Sequence, residues 1–154
     1  MKILFVCSGN TCRSPMAEAI ARRLAEERGL ADVEVSSAGT GAVAGAPISD
    51  GALLVGIENG LDLGAHRARP LTAGLVEQSD LVLVMGSGHL ERVHALGGEG
   101  RAFLLADYAS GGLDPRAISD PYGSGLDVYR ETFAELSAEV GRALDRASAE
   151  RRGS

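Results

Sequence analysis

The chain has 154 residues, 45% of them hydrophobic and 23% charged, the size and balance of one folded domain with a real core. A formal charge of −6, from 15 Lys+Arg against 21 Asp+Glu, argues against a nucleic-acid binder, while leaving room for a small positive pocket. No apolar run approaches the ~18 residues of a membrane span, Met1 to Val6 is too short for a signal peptide's apolar region, and two cysteines in one segment suit a reducing, cytoplasmic compartment.

Residues 2–7 form a short apolar run that reads as a buried central strand. After a polar loop, residues 15–28 read as a helix with an apolar stripe of Ala17, Ile20 and Leu24. Arg22, Arg23, Glu26 and Glu27 face water there, and Gly29 ends it. Residues 33–37 make a second strand. Residues 48–59 have helical spacing at Leu53, Leu54 and Ile57 and stop at Gly60. A short helix at 72–78 leads into the clearest buried strand, 80–85. A helix at 89–96 and a last strand at 101–105 follow, and then a loop rich in Gly, Asp and Pro over 106–125. The final helix, 126–147, lines up Tyr129, Phe133, Leu136, Val140 and Leu144 on one side.

Strands alternating with helices predict an α/β fold: a three-layer, doubly wound domain with a central, roughly four-stranded parallel sheet and helices on both faces. Residues 1–150 read as a single domain and 151–154 as a polar tail. In such sheets ligands bind beyond the carboxyl ends of the strands. The loop after the first strand is therefore where chemistry is expected.

That loop is Cys7-Ser8-Gly9-Asn10-Thr11-Cys12-Arg13-Ser14. A loop wrapping into a helix N-terminus turns several backbone N–H groups inward and makes a nest for a tetrahedral oxyanion. Gly9 and Asn10 tolerate the left-handed backbone that such wrapping needs. Arg13 adds a planar, permanently charged fork for phosphoryl oxygens. Ser14 is placed to cap the helix, and Pro15 suits its first position. Cys7 sits at the base of the nest, where the N–H groups, the helix dipole and Arg13 all favour a thiolate. The Ser14 hydroxyl is a further donor to the sulfur. A thiolate under a bound phosphate is a nucleophile in line with phosphorus. The competing reading, an inert buried thiol in a tight turn, leaves the arginine, the glycine and the cap as coincidences.

The stretch Val6-Cys7-Ser8-Gly9-Asn10-Thr11-Cys12-Arg13-Ser14-Pro15-Met16-Ala17-Glu18 resembles the low-molecular-weight protein tyrosine phosphatase family. The resemblance extends over the chain, to the strand at 80–85 and to a late Asp120-Pro121-Tyr122. It implies phosphatase chemistry with neither metal nor organic cofactor, acting on a phosphorylated protein. It also implies that inorganic phosphate and related oxyanions inhibit by occupying residues 7–14. By the same resemblance Asp120 is the general acid, protonating the leaving atom and then activating water against the Cys7 phosphoenzyme. Holding that proton near neutral pH calls for burial and for the incoming phosphate dianion. Tyr122 would wall the pocket and shield Asp120. Asp107 and Asp114 lie in the same loop, and Asp114-Pro115 repeats the dipeptide without the aromatic. Asn10 resembles the family's loop-bracing asparagine. Cys12 stands where many members carry a second cysteine, either as a trap for oxidised Cys7 or as filler behind the loop.

Thr11 bears on the substrate. Phosphotyrosine-specific members usually carry a bulky aliphatic residue there, whereas threonine resembles the bacterial protein-arginine phosphatase branch. So does the run Asp120-Pro121-Tyr122-Gly123-Ser124-Gly125-Leu126-Asp127-Val128-Tyr129. That branch often has Phe where Tyr122 stands, and Tyr also suits the tyrosine enzymes. Thioredoxin-coupled arsenate reductases share a similar loop but relay through two mid-chain cysteines, and this chain has none beyond Cys12. A non-catalytic phosphoprotein reader would keep Arg13 without needing a thiolate and a proton donor. The segment Gly39-Thr40-Gly41-Ala42-Val43-Ala44-Gly45 imitates a dinucleotide loop, but its last glycine is one position late and Ala46-Pro47 interrupts. His66, His89 and His94 lack metal-like partners and read as surface or helix-packing residues, and Arg67, Arg69 and Arg101 as a solvated face.

Overall fold

The computed structural model describes residues 1–153. Strands β1 (Lys2–Cys7), β2 (Glu34–Gly39), β3 (Leu81–Val84) and β4 (Ala102–Leu104) form one parallel sheet in the order β2-β1-β3-β4. The helices are α1 (Arg13–Glu27), α2 (Asp50–Glu58), α3 (Ala73–Gln78), α4 (Ser87–Ala95), α5 (Leu105–Ala109) and α6 (Leu126–Arg152). This is the doubly wound architecture expected from the alternation of strands and helices.

β1 is internal to the sheet, so both its faces are buried and its sequence is apolar without a break. Ile3, Phe5 and Cys7 point into one core with Met16, Ile20, Tyr129 and Leu136. Leu4 and Val6 point into the other with Val76, Val84 and Val93. The stripe of α6 (Tyr129, Phe133, Leu136, Val140, Leu144) is buried throughout. Each such side chain contributes roughly 1.5–3 kcal/mol by leaving water. Because β2 lies on one side of β1 and β3 on the other, the chain's winding reverses at β1. A crevice opens at the carboxyl ends at that reversal.

Several local expectations are corrected. α1 begins at Arg13, with Cys12 as its N-cap and no side-chain capping bond. Ser14 is thus inside the first turn, where its hydroxyl is spent on Cys7 and Asn10 instead of on the helix end. Pro15 also falls within that turn, where a missing N–H costs nothing. α2 docks through Ala52, Val55 and Gly56, which are buried, while Leu54 and Ile57 are exposed. A side chain at Gly51 would run into the Tyr129 ring, and one at Gly56 into Leu63, so the helix backbone approaches its neighbours closely at both positions. The loop expected over 106–125 opens with α5, whose five residues are too few to show a helical period. α6 continues through Arg152, so two residues set apart as tail are helical, and Arg151 pairs with Asp32 at 2.7 Å. Among the described residues no helix is long and apolar enough to cross a membrane.

Candidate active site

β1 delivers Cys7 to the crevice, and residues 8–12 turn around it into α1. The turn is held by Asn10, which is fully buried and has a φ of 56°, the one non-glycine residue with positive φ among the described residues. Asparagine tolerates that backbone because its short polar side chain can bond locally. Here Nδ2 donates to Ser14 Oγ at 2.8 Å and to Ser37 Oγ at 2.9 Å, while Oδ1 accepts the Arg69 backbone N–H at 3.0 Å. Gly9, expected to share the left-handed turn, does not adopt it.

The direction of these bonds matters. Ser14 Oγ already accepts from Asn10, so its own proton is free for Cys7 Sγ, 2.9 Å away. Ser37 in turn donates to Glu18 Oε1 at 2.7 Å, which keeps Ser37 Oγ an acceptor for Asn10. We expect Asn10→Ala to destabilise the protein by about 2–4 kcal/mol, from left-handed strain plus buried partners left unpaired. Denaturant unfolding midpoints check it; a loss within 0.5 kcal/mol, roughly that of a surface substitution, would contradict this bracing role.

Arg13, the first residue of α1, is 6% exposed. Its Nη1 donates to the Ile118 carbonyl at 2.8 Å and Nη2 lies 3.5 Å from Asp120 Oδ2. Its buried Nε has no protein partner. The guanidinium is thereby pinned beside a recess of about 320 Å³ that it lines together with Cys7, Ser8, Gly9, Thr11 and Cys12. Gly41, Val43 and Ala46 form another wall, and Asp120 and Tyr122 complete it. A larger recess of about 530 Å³, between α1 and β2, holds no nucleophile. Asn10 and Ser14, grouped by sequence with the substrate-binding residues, lie behind the wall and act on it through hydrogen bonds.

Asp120 stands at the mouth. Its Oδ1 accepts the Tyr122 backbone N–H at 3.1 Å, and its side chain is 49% exposed. The burial expected of it is absent, and Tyr122, 71% exposed, leaves it open on one side. Of the competing acids, Asp114 is held by Arg116 at 2.9 Å and Asp107 belongs to α5; neither lines the recess.

Several contributors were not recognised in the sequence. The glycine-rich segment after β2 is a buttress of the loop: Gly41 N–H donates to the Ser8 carbonyl at 2.9 Å, and a side chain at Gly39 would strike that same carbonyl. His66 Nε2 lies 2.7 Å from the Asn10 carbonyl and His89 Nε2 lies 2.8 Å from Ser8 Oγ, so two of the three histidines hold the loop. Arg67 and Arg69 are exposed, as a solvated face requires, and Arg101 is half-buried; all three also tie down backbone carbonyls. Cys12 Sγ donates to Ser49 Oγ at 3.1 Å and sits 3.3 Å from the Tyr129 hydroxyl. Burial and the Cys12 contact push the Tyr129 phenol up to about 12, so it stays protonated. The partners of the loop itself come from 27 to 117 residues away, so only spatial proximity reveals them.

Residues 2–152 match the family model described as low molecular weight phosphotyrosine protein phosphatase. The protein-arginine-phosphatase of Bacillus subtilis (strain 168) is 40% identical over 138 residues, 88% of this chain and 89% of that one. The probable low molecular weight protein-tyrosine-phosphatase EpsP of Ralstonia solanacearum is 36% identical over 140 residues, 90% of each. A solved structure of YwlE arginine phosphatase, a C7S mutant with a phosphorylated active site serine, superposes with a TM-score of 0.92 at 36% identity, covering 99% of both chains. Likeness of this extent, over the same fold from end to end, places the chain in the low molecular weight phosphotyrosine protein phosphatase family, and so among the protein phosphatases.

Proposed function

We propose that this phosphatase hydrolyses phosphorylated protein side chains through a phosphocysteine on Cys7, with Asp120 as general acid and base, and that it prefers phosphoarginine to phosphotyrosine. One observation carries the mechanism: Cys7 Sγ, 2.9 Å from the Ser14 hydroxyl, lies at the floor of a recess whose wall holds Arg13 and Asp120, 3.5 Å apart.

In the first step the Cys7 thiolate attacks phosphorus and the bond to the leaving nitrogen or oxygen breaks, with Asp120 giving its proton to that atom. Backbone N–H groups and the Arg13 fork stabilise the equatorial oxygens. In the second step Asp120 takes a proton from water as it attacks phosphorus. The S–P bond breaks, inorganic phosphate leaves and the thiolate returns. The YwlE structure with a phosphorylated active-site serine at position 7 supports an intermediate on this residue. Two reduced cysteines fit work in a reducing, cytoplasmic compartment.

Asp120→Asn is expected to lower kcat by about 10²–10⁴, the usual worth of a general acid. The loss should shrink on substrates whose leaving group departs without a proton. Equal loss on good and poor leaving groups would remove Asp120 from that role.

The arginine preference rests on Thr11, half-buried in the wall, and on Asp120, both acceptors for a cationic guanidinium. The Bacillus subtilis relative's name points the same way. A second reading, phosphotyrosine, is favoured by Val43 and Tyr122, exposed at the rim where a ring could lie between them. Phosphate release from matched phosphoarginine and phosphotyrosine substrates, with Cys7→Ser as blank, decides between them. Faster phosphoarginine turnover is expected; faster phosphotyrosine turnover would assign the tyrosine reading.

A further inference from the structure

We propose that His89 is a positioning residue for catalysis: as a neutral imidazole it donates Nε2–H to Ser8 Oγ and so reserves the Ser8 hydroxyl proton for phosphoryl oxygens in the recess. The inference rests on the phosphatase reading above and assigns a role to a histidine outside the nucleophile–arginine–aspartate set.

His89 lies in the first turn of α4, the helix that follows β3, and β3 is the neighbour of β1. The winding of the sheet therefore brings this side chain against the outer side of the loop after β1. It is 8% exposed, with Nε2 2.8 Å from Ser8 Oγ. Its Nδ1 is buried with no hydrogen-bond partner.

That unpaired nitrogen decides the tautomer. A proton on Nδ1 would be an orphaned buried N–H, a rarer and costlier defect than an under-satisfied acceptor. The proton therefore belongs on Nε2, and Ser8 Oγ accepts it. A doubly protonated ring would orphan the same N–H and set a second cation near Arg13. Burial first, and then the Arg13 guanidinium, push this imidazole below its ordinary value, with Asp120 opposing them. The charged groups around it are thus Arg13 from α1 and Asp120 from the loop before α6.

Ser8 then has an accepted bond on its oxygen and a proton with no protein acceptor among the described residues. Its side chain is exposed and lines the recess beside Cys7 and Arg13. The acceptor the site brings there is a phosphoryl oxygen. Without His89, the Ser8 hydroxyl turns freely between donor and acceptor roles and loses the bias toward phosphate.

The test compares wild type, Ser8→Ala, His89→Ala, His89→Gln and the Ser8→Ala/His89→Ala pair. Three quantities are read: kcat and KM, affinity for inorganic phosphate by calorimetry, and the unfolding midpoint. Each alanine variant is expected to lose roughly 10-fold in kcat/KM and a similar factor in phosphate affinity, the scale of one hydrogen bond to a charged group. The pair should lose no more than either single variant, because both remove the same bond. His89→Gln keeps an amide donor and should recover most of the loss even if its unfolding midpoint falls. Losses that multiply in the pair, or a His89→Ala effect confined to the unfolding midpoint, would overturn the proposal. Phosphate affinity tests His89 without turnover, so an inactive wild type would count against the phosphatase reading alone.

Discussion

Replacing Cys7 by serine is expected to end turnover, lowering kcat by about four orders of magnitude or more. The side chain is 2% exposed at the end of a central strand, and serine fits the space that sulfur leaves. What changes is the nucleophile. A thiol at this position lies beside the start of α1 and 2.9 Å from the Ser14 hydroxyl, both of which favour its anion. A serine hydroxyl attacks far more slowly than a thiolate, and a phosphoryl group that reaches it stays, because an alkoxide leaves phosphorus much less readily than a thiolate does. Steady-state kinetics measure the loss. Calorimetry with inorganic phosphate should show the recess still binding, because Arg13 and the loop N–H groups are untouched. Retained turnover within 100-fold, about 2.7 kcal/mol on the barrier, would mean another group attacks phosphorus.

Arg13→Lys is the second large effect, an expected loss of about 10²–10³ in kcat/KM with weaker phosphate binding. The native guanidinium is fixed on one side by the Ile118 carbonyl at 2.8 Å and approached on another by Asp120 at 3.5 Å. With those positions spoken for, the buried Nε and the remaining edge are what a phosphoryl group can use. Lysine keeps the charge but not the fork. It cannot hold Ile118 and two phosphoryl oxygens together. A variant within threefold of wild type in both quantities would show that charge alone suffices.

The fold was readable where one physical signal dominated. Residues 2–7 are apolar without a break because β1 is buried on both faces, and α6 shows its stripe because one side of a long helix meets the core. α2 was found as a helix but its buried side was not, because that side rests on Val55 and on the small residues Ala52 and Gly56 rather than on Leu54 and Ile57. α5 was hidden by its length of five residues. At the site, residues singled out in two separate stretches, Cys7 to Arg13 and Asp120 with Tyr122, largely line one recess, and the contiguity of the first stretch is what made it legible. The residues that hold the segment in shape, Ser37, His66, Arg69 and His89, come from four other parts of the chain. Nothing in their local sequence says which loop they serve. Their partners exist only once β2 and β3 flank β1.

The most direct test of the account is to stop the reaction within its first turnover and locate the phosphoryl group by peptide mass spectrometry. Phosphate is expected covalently attached to Cys7, formed before free phosphate appears and lost from Cys7 as free phosphate is released, whereas Cys7→Ser releases no free phosphate. Phosphate found on another residue, or released with no covalent enzyme form at all, would contradict it.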